Sequence, residues 1–137
     1  MSQENYEVVE HTADWSIRVW GQSLAELFKH AAEGMSTLIA GDLQELPLDR
    51  QKEIQLTAVD VESLLVDWLG ELAYWAEMEQ IVFYSFDMLE VSQTNLRAVV
   101  QGGKAETLHK HIKAVTYHDL MVRDTGSGFE TTIVFDV

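Results

Sequence analysis

Three carboxylates stand out because they lie at the ends of predicted strands. Asp14 directly precedes the alternating segment 15–20, and Asp136 is the penultimate residue of an apolar segment. Val137 adds an α-carboxylate where the chain ends at that residue. Carboxylates that are brought together repel one another unless a cation neutralises them, and oxygen ligands suit Ca²⁺, Mg²⁺ or Mn²⁺. These residue types therefore allow an oxygen-rich cation site.

The residues alone leave a simpler alternative open. Asp14 is an ordinary turn residue before a strand, and Asp136 an ordinary solvated residue, unless the two segments meet in space. Alternation predicts that Ile133, Phe135 and Val137 share one face of the last strand and that Asp136 lies on the other. Nothing in the local sequence shows that the two aspartates are neighbours.

Lys113 and the histidines are further candidates. Lys113 precedes a predicted strand at 114–122, where it pairs with Asp14 or a phosphate, or simply discourages edge pairing. His118 lies within that predicted strand, whereas His109 and His111 are two residues apart in a predicted loop, where solvated side chains are favoured over a metal pair. The sequence contains no phosphate-binding glycine loop, dinucleotide-binding motif or nucleophile elbow.

Composition restricts the class of protein. The 137 residues, 47 % hydrophobic, predict a single domain over 1–137. The absence of cysteine excludes disulfides and thiolate metal sites. A formal charge of −14 makes tight direct binding to nucleic acid unexpected, because phosphates must be neutralised by cationic side chains. A basic protein or a cation is the expected partner; a charge that only maintains solubility is the alternative.

The sequence carries neither a signal-peptide pattern nor an apolar stretch of about 20 residues. We therefore expect a cytoplasmic protein without a membrane partner.

Two amphipathic helices are predicted, each with a start signal. Ser23 and Glu26 form a capping box before a helix at 24–39, and Asp60 can cap a second helix that reaches Trp75. Gly70 lies inside the second helix at a cost of about 1 kcal/mol relative to alanine, and close packing is one explanation for it.

Strands are predicted at 6–9, 15–20, 52–59, 81–91, 96–101, 114–122 and 129–136, with turns at Gly102-Gly103 and 126–128. Because the pattern lacks a regular βαβ rhythm, it predicts an α+β fold. This is a two-layer sandwich in which two amphipathic helices pack on a mixed, mostly antiparallel sheet.

Five separated segments together resemble the archease family. They are His11-Thr-Ala-Asp14, Gly21–Phe28, Leu64–Leu72, Lys113–His118 and Phe135-Asp136-Val137. They occur in the family's order and spacing, and the resemblance covers essentially the whole chain. One segment alone has little specificity, but the combination is specific.

The resemblance implies an accessory protein, not an enzyme in its own right. Archeases act with the tRNA-splicing RNA ligase that joins 2′,3′-cyclic-phosphate or 3′-phosphate ends to 5′-hydroxyl ends. They promote guanylylation of the ligase and support its multiple turnover. Two alternatives stay open. One is a chaperone or modulator of a tRNA methyltransferase without metal chemistry; the other is a small metal-dependent hydrolase using His11, His118 and the acids.

The resemblance also implies which residues form the site. A divalent cation, most often Ca²⁺ with Mg²⁺ or Mn²⁺ as alternatives, would be held by Asp14, Asp136 and the α-carboxylate of Val137. An oxygen-rich site does not require imidazole, so the nearby histidines are expected to support it and not to bind the cation. The expected supporting residues are Lys113, His11, Thr12 and His118.

Two positions depart from the family pattern. Gly70 stands where a polar residue is usual, and Trp15 follows the aspartate where a smaller aliphatic residue is common. Neither change removes an expected ligand, but Trp15 alters the packing expected beside Asp14.

Overall fold

Residues 5–10 and 14–137, which the computed structural model describes, form eight strands and two long helices. The strands are β1 (Tyr6–Glu10), β2 (Asp14–Gly21), β3 (Arg50–Thr57), β4 (Ile81–Val91), β5 (Asn95–Lys104), β6 (Ala114–Val115), β7 (Arg123–Asp124) and β8 (Phe129–Asp136). The helices are α1 (Leu24–Ala40) and α2 (Val61–Glu79), and a short 3-10 helix follows α1 at Leu43–Glu45.

The strands form two antiparallel sheets. The first has the order β1-β2-β8-β6, and the short strand β7 also pairs with β8. The second has the order β3-β5-β4. Every strand pair in the described part of the chain is antiparallel. The predicted α+β class with two helices on antiparallel strands is confirmed, while the division into two sheets was not predicted.

Both helices begin at the predicted caps. The Ser23 hydroxyl accepts a hydrogen bond from the Glu26 amide at 3.2 Å, and the Asp60 carboxylate accepts one from the Ser63 amide at 2.7 Å. Hydrogen bonds from the amide and hydroxyl of Ser63 hold the pKa of Asp60 below its usual value. None of the described helices combines the length and the hydropathy needed to cross a bilayer.

The helices join the two sheets around one core. α1 contacts β2 and β4, and α2 contacts β4 and β6, so each helix touches both sheets. The buried Trp68 of α2 donates its indole N–H to the Phe28 carbonyl of α1 at 3.0 Å and meets the Phe86 ring edge-on. This contact ties α2 to α1 and to β4.

The predicted turn at Gly102-Gly103 was wrong, because both glycines lie inside β5. A Cβ atom at Gly102 would collide with the backbone of Val82 and Phe83, and one at Gly103 would collide with Pro47. These glycines therefore allow close backbone approach within the sheet.

The predicted strand at 114–122 was also mostly wrong, because the chain leaves the sheet soon after Val115. The Thr116 amide still donates to the Val134 carbonyl at 3.0 Å. A turn follows, in which the Leu120 amide donates to the Tyr117 carbonyl and Asp119 adopts a φ of 50°. The apolar alternation extends past Val115 only to Tyr117, and the left-handed Asp119 then interrupts the extended backbone.

Candidate functional site

The first sheet places Asp14 and Asp136 directly opposite each other. β2 and β8 run antiparallel, and these two residues are cross-strand partners at the end of the ladder. Directly opposite residues have Cβ atoms about 4.5–5.5 Å apart, and like charges in this arrangement are destabilising. The two segments that sequence alone could not bring together are therefore neighbours in the fold.

Both carboxylates lie on the outer face of the sheet. Along β8, Ile133 and Phe135 are buried against the helices, whereas Asp136 is exposed, as alternation predicted. Along β2, Ile17 is buried and Asp14 is exposed. Because paired residues on neighbouring strands point to the same face, the aspartates form an accessible acidic pair.

The backbone of Lys113 borders the pair on the side of β8 opposite to β2. Ala114 of β6 is the cross-strand partner of Asp136, and the Lys113 amide donates a hydrogen bond to the Asp136 carbonyl at 2.8 Å. Lys113 itself is exposed. Asp14, Asp136 and Lys113, the residue just before β6, thus lie at one end of the sheet, around the end of β8.

Val137 anchors this end of β8 on the core. Its side chain is half-buried and packs against the core cluster, on the side of the strand opposite to that of Asp136. Its backbone directly follows Asp136. The main chain of Val137 therefore lies beside the residue that pairs with Asp14.

Lys110 is a neighbour of the site that the sequence did not reveal. Its ammonium group lies 4.0 Å from the centroid of the Trp15 ring, and Trp15 directly follows Asp14. A cation over the face of an aromatic ring is favourable. The unusual tryptophan beside Asp14 was a signal that something packs there, but its partner is 95 residues away and no local pattern identifies it.

The other predicted supporting residues are not joined to the pair. His118 is exposed, its Nε2 atom lies 3.3 Å from the Asp119 carboxylate, and its amide donates to the Thr116 hydroxyl. His11 and Thr12 lie outside the described residues. His109 and His111 do not form a metal pair: the His109 ring lies against Gly41, and His111 contacts Glu77 at 3.0 Å.

The donor set at this site consists of oxygen atoms. Within residues 5–10 and 14–137, no three side chains of histidine, aspartate or glutamate converge as a metal-binding group. A cation at the aspartate pair therefore needs oxygen from the Val137 carboxylate, a backbone carbonyl or water. Such a set fits a hard cation such as Ca²⁺, which takes carboxylate, carbonyl and water ligands.

Comparison with known proteins identifies the family. The model of the Archease protein family (MTH1598/TM1083) matches residues 6–137. The chain belongs to the archease family. Protein archease of Methanosarcina mazei is 34 % identical over 142 residues, covering 98 % of this chain and 97 % of the relative. Protein archease of Saccharolobus islandicus is 36 % identical over 138 residues, covering 97 % and 99 %. The resemblance seen in the five sequence segments is confirmed.

Two solved structures share the archease fold. The solution structure of Methanobacterium thermoautotrophicum protein 1598 aligns with a TM-score of 0.79 at 23 % identity, covering 98 % of this chain and all of that one. The crystal structure of an archease from Thermotoga maritima, described as a possible chaperone, aligns with a TM-score of 0.67 at 23 % identity, covering 94 % of each chain. At this identity the comparison shows a shared architecture.

Proposed function

We propose that this archease is an accessory activator of an RNA ligase. The ligase joins 3′-phosphate or 2′,3′-cyclic-phosphate ends to 5′-hydroxyl ends in tRNA splicing or RNA repair. The archease promotes its guanylylation and its multiple turnover in the cytoplasm. The observation that supports this proposal best is the direct pairing of Asp14 with Asp136 in a member of the archease family.

The aspartate pair supports a cation as part of this function. Two like charges face each other across the end of a ladder, and a divalent cation would relieve their repulsion. Asp14, Asp136 and the Val137 carboxylate would hold Ca²⁺, with Mg²⁺ or Mn²⁺ as alternatives. When bound, the cation supplies positive charge that can help orient phosphate groups in nucleotidyl transfer.

The exposure of the site favours action on a partner. Asp14, Asp136 and Lys113 are all exposed at one end of the sheet, where a second protein can reach them. The two carboxylates would hold the cation at the protein surface. Lys113 would contact a phosphate or an acidic group of the partner from the same end.

The charge of the chain favours a protein partner over direct RNA binding. With nine lysines and arginines against 23 acids, the archease repels nucleic acid and attracts a basic surface. A ligase that binds RNA presents such a surface. Complementary charge would mainly raise the rate of association between the two proteins.

A multiple-turnover ligation assay with the purified ligase tests the site. We expect Asp14→Asn and Asp136→Asn to lower the stimulation on the order of 10- to 100-fold, because each removes the negative charge of a cation ligand. Lys113→Ala is expected to lower it as well. Asp87→Asn is the matched control, because Asp87 is an exposed aspartate of β4 in the other sheet. Full stimulation by all three site variants would refute the assignment.

Thermal unfolding with and without Ca²⁺ tests the cation separately. A cation that binds only the folded chain raises the melting temperature, and the rise should disappear in Asp136→Asn but remain in Asp87→Asn. The protein should carry no tag after Val137, because an extension would remove that carboxylate.

The Thermotoga maritima archease described as a possible chaperone favours a second candidate function. In this function the chain is a chaperone or modulator of a tRNA methyltransferase and uses no cation. It predicts that chelation leaves partner binding unchanged. A metal-dependent hydrolase gains no support, since the polar contacts of His118 are with Asp119 and Thr116, away from the aspartate pair.

A further inference from the structure

A groove runs beside the candidate site between α2 and the segment 112–115. It has a volume of about 280 Å³, and its lining is mostly apolar. This cavity is called the α2 groove below, and its α2 side is formed by Gly70, Ala73, Tyr74, Glu77 and Met78. Lys113 lines the opposite side. A cavity of about 150 Å³ is enough to bind benzene, so the α2 groove has room for one bulky apolar side chain.

Gly70 keeps the α2 groove open. A Cβ atom at this position would meet nothing within 4 Å, so close packing, the explanation that the sequence suggested, is wrong. A glycine inside a helix costs about 1 kcal/mol relative to alanine. No contact within the described residues offsets that cost. Proteins break local rules mainly at functional or strained sites, and a contact with another molecule would account for this glycine.

The α2 wall of the groove includes two large apolar side chains that are exposed to solvent. Tyr74 is 56 % exposed and Met78 is 64 % exposed, one helical turn apart on the outer face of α2. Methionine and tyrosine are common at binding surfaces because the first adapts its shape and the second offers a large rigid area. The walls and the open floor at Gly70 therefore have the character of a contact surface.

The charge of α2 indicates the kind of partner. The helix carries five carboxylates and no lysine or arginine. Glu77 and Glu79 lie in its last turn, where negative charge is unfavourable because the carbonyl end of a helix is itself negative. A basic surface that covers the helix would reduce the repulsion among these carboxylates and would neutralise the negative charge at the end of the helix.

We propose that the α2 groove receives one bulky apolar side chain from a basic protein surface, which is that of the RNA ligase. This inference rests on the proposed function. Lys113 lines the α2 groove and its amide donates to the Asp136 carbonyl, so a side chain seated in the groove would bring the ligase to the end of the sheet that carries the aspartate pair. The groove would anchor the ligase, and the aspartate pair with its cation would act on it.

Two substitutions of Gly70 separate groove filling from helix stability. Gly70→Leu fills the groove, whereas Gly70→Ala adds a single carbon and serves as the matched control. Both remove the glycine from the helix, so both should fold at least as stably as the wild type. In a calorimetric titration with the purified ligase, we expect Gly70→Leu to weaken binding at least about 10-fold and Gly70→Ala to weaken it no more than about 2-fold.

Tyr74→Ala provides a test that does not add volume, and it should also weaken ligase binding about 10-fold because it removes a wall. Ligase binding by Gly70→Leu that equals that of the wild type would overturn the inference and leave the proposed function intact. A change in molar mass in solution with Gly70→Leu, at unchanged ligase affinity, would also overturn it, since the groove would then hold a second copy of the chain. A wild-type protein that neither binds nor stimulates the ligase would refute the proposed function itself.

Discussion

Gly34 and Gly70 occupy the interiors of the two helices and have opposite surroundings. A Cβ atom at Gly34 in α1 would lie 2.9 Å from Cγ of Tyr6 and 3.2 Å from Cδ1 of Ile17. A Cβ atom at Gly70 would lie in open space. The first glycine lets α1 approach the first sheet closely, and the second has no packing role within the described chain. The same residue type therefore marks the core in one helix and a free surface in the other.

The two helices also differ at their N-terminal caps. Ser23 caps α1 through a hydroxyl group, which stays neutral over the working pH range. Asp60 caps α2 through a carboxylate, whose pKa is held below its usual value by hydrogen bonds from Ser63. The N-cap of α2 is therefore an acid-sensitive group, whereas the N-cap of α1 is not.

Among the variants that test this comparison, Gly34→Ala should change the free energy of unfolding most. The added carbon would press on the Tyr6 ring, which cannot move aside as the end of a flexible chain can. Overpacking of this kind costs about 1–3 kcal/mol of unfolding free energy. Urea denaturation measures the loss. The double variant Gly34→Ala/Tyr6→Ala should lose less unfolding free energy than the sum of the two single losses, because removing the ring relieves the clash. An unchanged free energy of unfolding for Gly34→Ala would contradict the difference in packing between Gly34 and Gly70.

Gly70→Ala should act in the opposite direction. Alanine is favoured over glycine inside a helix by about 1 kcal/mol, and nothing near Gly70 resists the added carbon. We expect the urea midpoint to rise with an unchanged slope. A fall in stability would mean that the space above Gly70 is occupied in the folded protein.

Asp60→Asn should give the smallest effect, and only in acid. Asparagine caps a helix about as well as aspartate but does not titrate. Because the folded pKa of Asp60 lies below the unfolded value, its contribution to stability is present above an unfolded pKa of about 3.9 and is lost as the pH falls through the folded value. Thermal unfolding from pH 7 to pH 2 should therefore show wild type losing stability relative to Asp60→Asn.

Ser23→Asn is the control for that series, since it exchanges one neutral cap for another. Its stability relative to wild type should not change with pH. A pH-dependent difference for Ser23→Asn as large as that for Asp60→Asn would contradict the assigned cause.

Local signals predicted the helices well. The hydroxyl of Ser23 and the carboxylate of Asp60 satisfy nearby amides, so a short window of sequence contains the whole interaction. Strand limits were predicted less well, because they depend on distant partners. Gly102 is inside β5 because the Val82 backbone lies against it, and no signal in the neighbouring residues states this.

At the candidate site, too, local features were predicted better than contacts between distant segments. Alternation correctly placed Asp136 on the outer face of its strand, which is a local property. Its pairing with Asp14 depends on the register between β2 and β8, and only the family resemblance suggested that the two ends converge. The contact between Lys110 and Trp15 was not predicted, because it joins a loop to a strand far away in the chain.

The central position of β8 also determines the order in which the first sheet can form during synthesis. Strand β1 can pair with β2 as soon as both have been made, but β2 must then wait for roughly 100 further residues before β8 exists. At about 5–20 residues per second, that wait lasts on the order of 5–20 s. During this time Ile17 and Val19 are without their partner strand, so a newly made chain has an exposed apolar edge until its last strand is complete.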